Sequence, residues 1–367
     1  MVSEADVVIG ANYGDEGKGL ATDWLCRKAV FEGKKCINVL TNGGCQRGHT
    51  VVNDKGRFVF SHLGSACHIC DTYFSHYYMI NPMVFCEEIE RVQPGTDILA
   101  DSFCLVTLPY DMLYNRALKK GKNESCGYGI NETLERSKRF PIYFNELGNY
   151  SSMLEHIKFV RDSYYDKIIK ENNIVFDDGM REIFYSDTLV DNFIEDCLFM
   201  YRTVKSASIN EVITDYDVAV FENAQGLLLD KDIDVLGTPT NTGSDYAKEL
   251  LNSYDIKPDL YYISRTYLTR HGAGKLPSEC SKEEINPFID DKTNVTNEYQ
   301  GSLRYGKLVM PELLDRIKQD AGDSKYYLVL THCNEYYDKD WDAYADFISD
   351  TENTVQLAPI YYKNRHF

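Results

Sequence analysis

An α/β protein built on one large, mostly parallel sheet with helices on both faces is the fold class this sequence predicts. Two observations carry it. Short runs rich in β-branched residues alternate with helical stretches along the 367 residues, and glycine-rich loops stand where those runs end. In such a sheet the loops at the C-terminal ends of the strands gather the ligands. A composition of 43% hydrophobic and 26% charged residues is enough for a large buried core. The expected organisation is a single domain over 1–367 with a helical insertion at about 150–215.

The first strand is Val7-Val8-Ile9, closed by Gly10, and Leu20 to Leu25 suit the opening turns of a helix. Between them lies Asn12-Tyr-Gly-Asp-Glu-Gly-Lys-Gly19. Strand, tight turn and helix N-terminus aim backbone amides and the positive helix end at one place, which suits an anion, and Lys18 adds a full charge. Taken alone, the turn reads equally well as an ordinary strand-to-helix connection. Asp15 and Glu16 beside Lys18 tip the reading toward a ligand, because carboxylates next to a phosphate cradle are unfavourable unless a metal or a proton is handled there. The spacing is not that of a standard P-loop, whose first glycine would fall on Asn12 and whose hydroxyl would fall on Gly19. Asp15 can replace that hydroxyl as a hard oxygen ligand for Mg²⁺.

Lys35 to Thr41 reads as the second strand, followed by Asn42-Gly-Gly-Cys-Gln-Arg-Gly-His-Thr50 and a strand that opens with Val51 and Val52. His49 follows Gly48 at a strand end, where a backbone carbonyl can approach a metal and an imidazole can reach a phosphoryl oxygen. Met79 to Phe85 and Ile98 to Leu108 carry strand-like apolar runs, with a short helix from Glu87 to Val92 stopped by Pro94-Gly95. Ser125 to Arg136 is a glycine-rich loop leading into a helix. Apolar residues at helical spacing (Met153, Ile157, Val160; Leu189, Phe193, Cys197, Tyr201) predict a helical layer over 150–215. Val218 to Asp230 is again strand then loop, and Tyr326 to Leu330 is a late strand.

The formal charge of −18 argues against a nucleic-acid surface, although a local basic cleft for one nucleotide is compatible with it. No basic segment followed by an apolar stretch opens the chain and no run of eighteen apolar residues occurs, so neither export nor membrane insertion is expected. Eleven cysteines without pairing rhythm fit free thiols in a reducing cytoplasm. Cys67-x-x-Cys70 near His62 and His68 invites a zinc reading, but no second Cys/His pair follows at zinc-ribbon spacing, and buried small thiols explain it better. A dinucleotide-binding dehydrogenase is excluded, since no Gly-x-Gly-x-x-Gly with an acidic residue about twenty positions on is present.

Six motifs, in order along nearly the whole chain, resemble those of the adenylosuccinate synthetase family. Gly14-Asp-Glu-Gly-Lys-Gly19 after Val-Val-Ile-Gly matches the first signature and Gly43-Gly-x-x-x-Gly-His-Thr50 the second. The resemblance implies a P-loop NTPase-like fold of that family and a ligation in two steps. O6 of a 6-oxopurine nucleotide attacks the γ-phosphate of a triphosphate, and the amino group of L-aspartate then displaces the phosphate at C6. It makes Asp15, His49 and Lys18 catalytic, Asp15 and the Gly48 carbonyl Mg²⁺ ligands, and Gly14, Glu16, Gly17, Gly19, Gly48 and Thr50 part of the nucleotide and phosphate site. Ser125 and Cys126 stand where two threonines hold the substrate's 5′-phosphate. Arg136 or Arg139 would be the arginine sent into the neighbouring subunit of a homodimer. Gln225, in Phe221-Glu-Asn-Ala-Gln-Gly226, would hold the purine edge, with Thr238 at the substrate phosphate and Arg270 and Gly272 in the loop beside the ribose. Gln300, Ser302 and Arg304 occupy the loop that grips L-aspartate. Asn334 replaces the aspartate with which the family reads guanine, and Pro359 the nucleotide-side turn.

Two departures bear on specificity. Asn334 offers one acceptor and one donor, which suits adenine and points to ATP or dATP as the phosphate donor. Ser302 stands where the family carries an arginine that also meets the ribose 2′-hydroxyl, and losing that contact favours a deoxyribose. The expected acceptor is therefore dGMP, giving 2-amino-2′-deoxyadenylosuccinate as in the phage-encoded diaminopurine branch of the family, with IMP as the alternative. A nucleotide-binding switch that hydrolyses slowly is the non-enzyme alternative.

Overall fold

The computed structural model describes residues 1–53, 55–119, 125–234, 236–289, 291, 294, 301–335 and 354–356. In chain order its strands are β1 (Glu4–Gly10), β2 (Cys36–Leu40), β3 (His49–Asn53), β4 (Gly56–Phe60), β5 (Asp71–Phe74), β6 (Ile98–Ala100), β7 (Lys205–Ser206), β8 (Val218–Gly226), β9 (Asp259–Arg265), β10 (Leu268–Arg270), β11 (Glu279–Cys280), β12 (Arg304–Gly306), β13 (Tyr326–Thr331) and β14 (Thr354–Gln356). Nine of them form one sheet in the order β14-β13-β9-β1-β8-β2-β5-β6-β7, and every neighbouring pair is parallel. The expected mostly parallel sheet is thus observed. Strands β3 and β4 form an antiparallel hairpin, and β10, β12 and β11 a small separate sheet.

β1 lies in the middle because it can be buried on both faces: Val7, Val8 and Ile9 are all fully buried. Alternation along the strand sorts them. Val8 packs with Ala21, Leu25 and Ala29 of helix α1 (Lys18–Phe31) on one face. Val7 and Ile9 join the opposite face, where helices with apolar stripes cover the sheet. Helices α2 (Pro82–Val92), α3 (Pro109–Lys119) and α4 (Ile130–Ser137) follow α1. The stretch Tyr150–Asp215 holds α5 (Tyr150–Val160), a π-helical turn (Arg161–Tyr165), α6 (Asp166–Glu171), α7 (Asp178–Tyr185), α8 (Asp187–Thr203) and α9 (Ile209–Asp215), broken only by the two-residue β7. Met153, Ile157, Val160, Phe193 and Cys197 are buried there in a core shared with α2, as their spacing predicts. After β8 come α10 (Asp245–Asn252), α11 (Lys282–Ile285) and α12 (Met310–Ala321). Leu250, Leu251, Leu313 and Ile317 cover the Val7 and Ile9 face.

One element departs from its expected type. Met79 to Phe85 is not a strand: Ile80 makes a single bridge to Val106 and a helix begins at Pro82. The Asn81 side chain accepts from the Val84 amide at 3.3 Å, and Pro82 occupies the first helical position, where its missing N–H costs nothing. Capping outweighs the apolar run. The expected strand over Ile98–Leu108 likewise shortens to β6.

Candidate active site

The loop between β1 and α1 crosses the C-terminal edge of the sheet. Gly17, at φ 95°, caps α1 without a side-chain hydrogen bond, so the first amides of the helix remain available to a ligand. Gly14, at φ 104°, lets its amide donate to Glu16 Oε1 at 2.8 Å, and a Cβ there would come within 3.1 Å of Gln225 Cα. Lys18 is 1% exposed, and its Nζ donates to the Gly14 carbonyl at 2.6 Å with Glu16 Oε2 at 3.8 Å. Burial pulls its ammonium pKa down and pushes the Glu16 carboxyl up. Lys18 thus braces the loop from within as well as adding charge.

His49 opens β3 directly against this loop, since a Cβ on Gly19 would sit 2.9 Å from His49 Cβ and 3.0 Å from Ser65 Oγ. Its Nδ1 bonds Glu222 Oε1 at 2.5 Å. Glu222 also accepts from the Ser65 amide at 3.0 Å and from the Ser65 hydroxyl, and faces Arg47 Nη1 at 3.4 Å. All of these side chains are buried. Burial opposes ionisation of Glu222, but Arg47 and the hydrogen bonds from His49 and Ser65 outweigh it and hold the carboxyl at about 2. Burial holds His49 at about 4, against the pull of Glu222. The pair is therefore Glu222 carboxylate with neutral His49, Nδ1–H donating, which leaves Nε2 as the nitrogen a ligand can meet. An anion there would favour the imidazolium. Several buried polar atoms in the same region make no hydrogen bond: Thr50 Oγ1, both amide atoms of Gln46, and Glu16 Oε2 and Arg47 Nη1, which have only their ion-pair partners Lys18 and Glu222. Buried groups left this way mark a place prepared for a ligand.

Next to them is a cavity of about 330 Å³. Among its walls are Ser125, Cys126, Gln225, Thr238, Arg270 and Gly272, which come from four separate loops. Gln225 holds φ 63° at the end of β8, a left-handed conformation unusual for a residue with a side chain and one that turns it out of the sheet. Ser125 Oγ donates to Asn115 Oδ1 at 2.7 Å and receives the Gly127 amide at 3.1 Å. Asn223 donates to the carbonyls of Thr242 and Gly243, and Asp230 accepts from the Thr242 amide at 2.8 Å, which ties down the threonine loop carrying Thr238.

The family model for adenylosuccinate synthetase matches residues 7–307. The chain belongs to the adenylosuccinate synthetase family. The Limosilactobacillus fermentum adenylosuccinate synthetase is 26% identical over 302 residues, covering 77% of this chain and 66% of that protein, and the Prochlorococcus marinus (strain AS9601) enzyme 28% identical over 304 residues, covering 78% and 66%. The chain thus spans about two-thirds of the length of such relatives. Two solved structures share the fold. The fully ligated adenylosuccinate synthetase of Plasmodium falciparum superposes with a TM-score of 0.69 at 18% identity, over 89% of this chain and 76% of that one. The succinoaminodeoxyadenylate synthetase of cyanophage S-2L, bound to dGMP and to dATP as an energy donor, gives 0.66 at 14% identity, over 97% of this chain and 92% of that one.

Within this adenylosuccinate synthetase fold, some expected site residues are committed elsewhere. Arg136 does not extend toward a second subunit. It is fully buried, with Nε and Nη2 on Asp111 at 3.0 Å and its remaining donors on the carbonyls of Phe140 and Val106. Arg139 is exposed. Arg270 lies 2% exposed, bonded to Asp234 at 2.7 Å and to the carbonyls of Ala273 and Lys275, so it shapes the loop around Gly272. Arg304 forks onto Glu279 at 2.8 and 2.6 Å and also holds the Gly272 and Gly274 carbonyls. A substrate carboxylate would have to replace Glu279. Ser302 is exposed, Gly48 is exposed, and Asp15 is partly exposed with His271 Nε2 3.9 Å from its carboxylate. Gln300, Pro359 and the side chain of Asn334 lie outside the described residues. Glu222, Arg47 and Gln46 were missed by the sequence reading, although a glutamate directly following the apolar run Val218 to Phe221 within one strand is itself a signal.

Proposed function

We propose that the chain is a carbon–nitrogen ligase that joins L-aspartate to C6 of dGMP, using ATP or dATP as phosphate donor. The observation that carries the reaction type is the buried Arg47–Glu222–His49 group set against the glycine loop, beside a cavity lined by the expected substrate residues. In this reading Asp15, partly exposed at the loop, takes the N1 proton of the purine, which raises the nucleophilicity of O6. O6 attacks the γ-phosphorus and the nucleoside diphosphate leaves. His49, made imidazolium by the bound phosphates and steadied through Nδ1–H by Glu222, donates from Nε2–H to the transferring phosphoryl group as its charge develops. The aspartate amine then forms the C6–N bond as phosphate departs from C6.

The residues fit a hard cation. Asp15 makes no hydrogen bond through its carboxylate among the described residues, and the exposed Gly48 offers a backbone oxygen. These two would hold Mg²⁺, which when bound supplies charge neutralisation at the donor phosphates. A homodimer is part of the proposal, with Arg139 as the arginine able to reach a partner.

The deoxy acceptor is favoured by Ser302, which offers no guanidinium to a ribose 2′-hydroxyl, and by the matching extent of the cyanophage enzyme, whose bound nucleotides are dGMP and dATP. IMP is the second reading, favoured by relatives 26–28% identical that are all adenylosuccinate synthetases. Measuring kcat/KM for dGMP and IMP with saturating ATP and aspartate separates them. The expected result is a preference for dGMP of tenfold or more. A clear advantage for IMP returns the chain to adenine-nucleotide synthesis, and no aspartate-dependent phosphate release with either nucleotide overturns the ligase reading in favour of a switch.

A further inference from the structure

Three cysteines far apart in sequence meet under the sheet. Cys26 lies on α1, Cys36 opens β2 and Cys70 precedes β5; all three are buried, and their sulfurs lie within 4.8 Å of one another. Among the described residues no other His, Cys, Asp or Glu joins the group. Cys70 therefore does not work with Cys67 as the Cys-x-x-Cys spacing suggests, and His62 is bonded to the Asn81 amide instead. Around the sulfurs are Val8, Leu25, Ala29, Ala66 and Val218, an apolar shell with no hard oxygen ligand in the group.

We propose that Cys26, Cys36 and Cys70 form a buried three-sulfur site for a single soft, monovalent cation of the Cu(I) type. Soft sulfur donors select soft ions, and a set of three with no fourth protein ligand suits an ion content with trigonal coordination better than zinc, which completes four. Metal–sulfur bonds of about 2.3 Å place three coplanar sulfurs about 4 Å apart, so closing the present arrangement takes less than an ångström of movement. A disulfide needs about 2.05 Å between sulfurs and an oxidant, and is further away. Uptake balances as one Cu(I) in and one proton out for each thiol that becomes a thiolate ligand, with no change of oxidation state. Cys26 lies eight residues beyond Lys18 on α1, about 12 Å along the helix, so the ion would pin α1 to β2 without touching the loop.

The test uses the full chain, fully reduced and without oxygen, titrated against the coloured Cu(I)–bicinchoninate complex. One equivalent should be withdrawn from the chelator, with a rise in melting temperature of several degrees. Cys36→Ser or Cys70→Ser should weaken uptake at least tenfold, whereas Cys104→Ser, at a buried thiol outside the group, should not. Uptake by wild type no greater than by the Cys26/Cys36/Cys70 triple serine variant would overturn the proposal and leave three thiols that merely pack. If the variants fail to fold, X-ray absorption of the loaded wild type decides: three sulfur neighbours support the site, and two or fewer sink it.

Discussion

Glu222→Gln isolates what the buried carboxylate does for His49. Glutamine keeps the volume but removes the charge, and one of its two acceptor positions becomes an amide that cannot receive Nδ1–H or the Ser65 donors. A charge-assisted hydrogen bond of this kind contributes about 2–3 kcal/mol. If all of it acts on the orientation and protonation of His49 in the transition state, kcat falls about 30- to 150-fold. Arg47, 3.4 Å away and buried, loses its counter-charge as well, and breaking a buried pair from one side costs on the order of 3 kcal/mol of stability. The assay is aspartate-dependent phosphate release under saturating substrates, at a temperature where circular dichroism shows the variant folded. Two further readouts separate positioning from general damage: Glu222→Asp should recover part of kcat, and KM for the nucleotide should move much less than kcat. A folded Glu222→Gln enzyme with kcat within about threefold of wild type would refute the reasoning, because the carboxylate would then serve only to neutralise Arg47.

Asp15→Asn and His49→Ala should each leave the fold intact and remove most turnover, and retention of more than about a tenth of wild-type kcat, a loss under about 1.4 kcal/mol, would remove that residue from the mechanism. ATP should be used in preference to GTP, and Asn334→Asp should shift selectivity toward GTP; the adjacent Glu335 holds Tyr267 and His332 through Oε2. A preference for GTP in wild type at equal concentrations would end this assignment. Stability should fall with acid in a way His49→Gln relieves: the folded imidazole sits at about 4 against 6.5 when unfolded, so the unfolded state binds the extra proton between those values. From pH 7 to pH 5 that one group should account for about 2 kcal/mol, measured as denaturation midpoints of wild type minus variant, and equal pH slopes for the two proteins would show that His49 does not stay neutral.

The glycine loops were legible because each is contiguous: Gly14 to Gly19 and Gly48-His49 carry their geometry in neighbouring residues, and β1, β2, β8 and β13 stand where apolar runs placed them, whereas β9 was not read as a strand. What the sequence hid are partnerships across long separations. Glu222 meets His49 from 173 residues away, and Arg136 meets Asp111 from 25. Neither pairing has a local pattern. Arg136 looked available because arginines usually face solvent, yet in this fold it closes the buried hydrogen bonds of Asp111. Cys67 and Cys70 are buried free thiols, as expected, but the neighbours of Cys70 were hidden, since Cys26 and Cys36 are near it only in space.

The cations of the site teach the same lesson in physical terms. A chain of net charge −18 presents little to a polyanion, and the sequence reading assigned Lys18, Arg270 and Arg304 to the ligands. In the fold the donors of these three, and of Arg265 and Arg316, hold backbone carbonyls: Lys18 that of Gly14, Arg316 that of Ala11, Arg265 that of Asp15, Arg270 those of Ala273 and Lys275, and Arg304 those of Gly272 and Gly274. A carbonyl held from behind fixes the peptide plane, and the amide on the other side of that loop is free to face an anion. Positive charge is thus placed at the loops of this sheet edge and kept largely buried, which suits a small anionic ligand better than a nucleic-acid backbone. The forked geometry is needed at Arg270 and Arg304, where one side chain binds two carbonyls and a carboxylate at once, a task a lysine ammonium on a flexible stem performs poorly. Loop shape and electrostatics at this sheet edge are therefore set by the same residues.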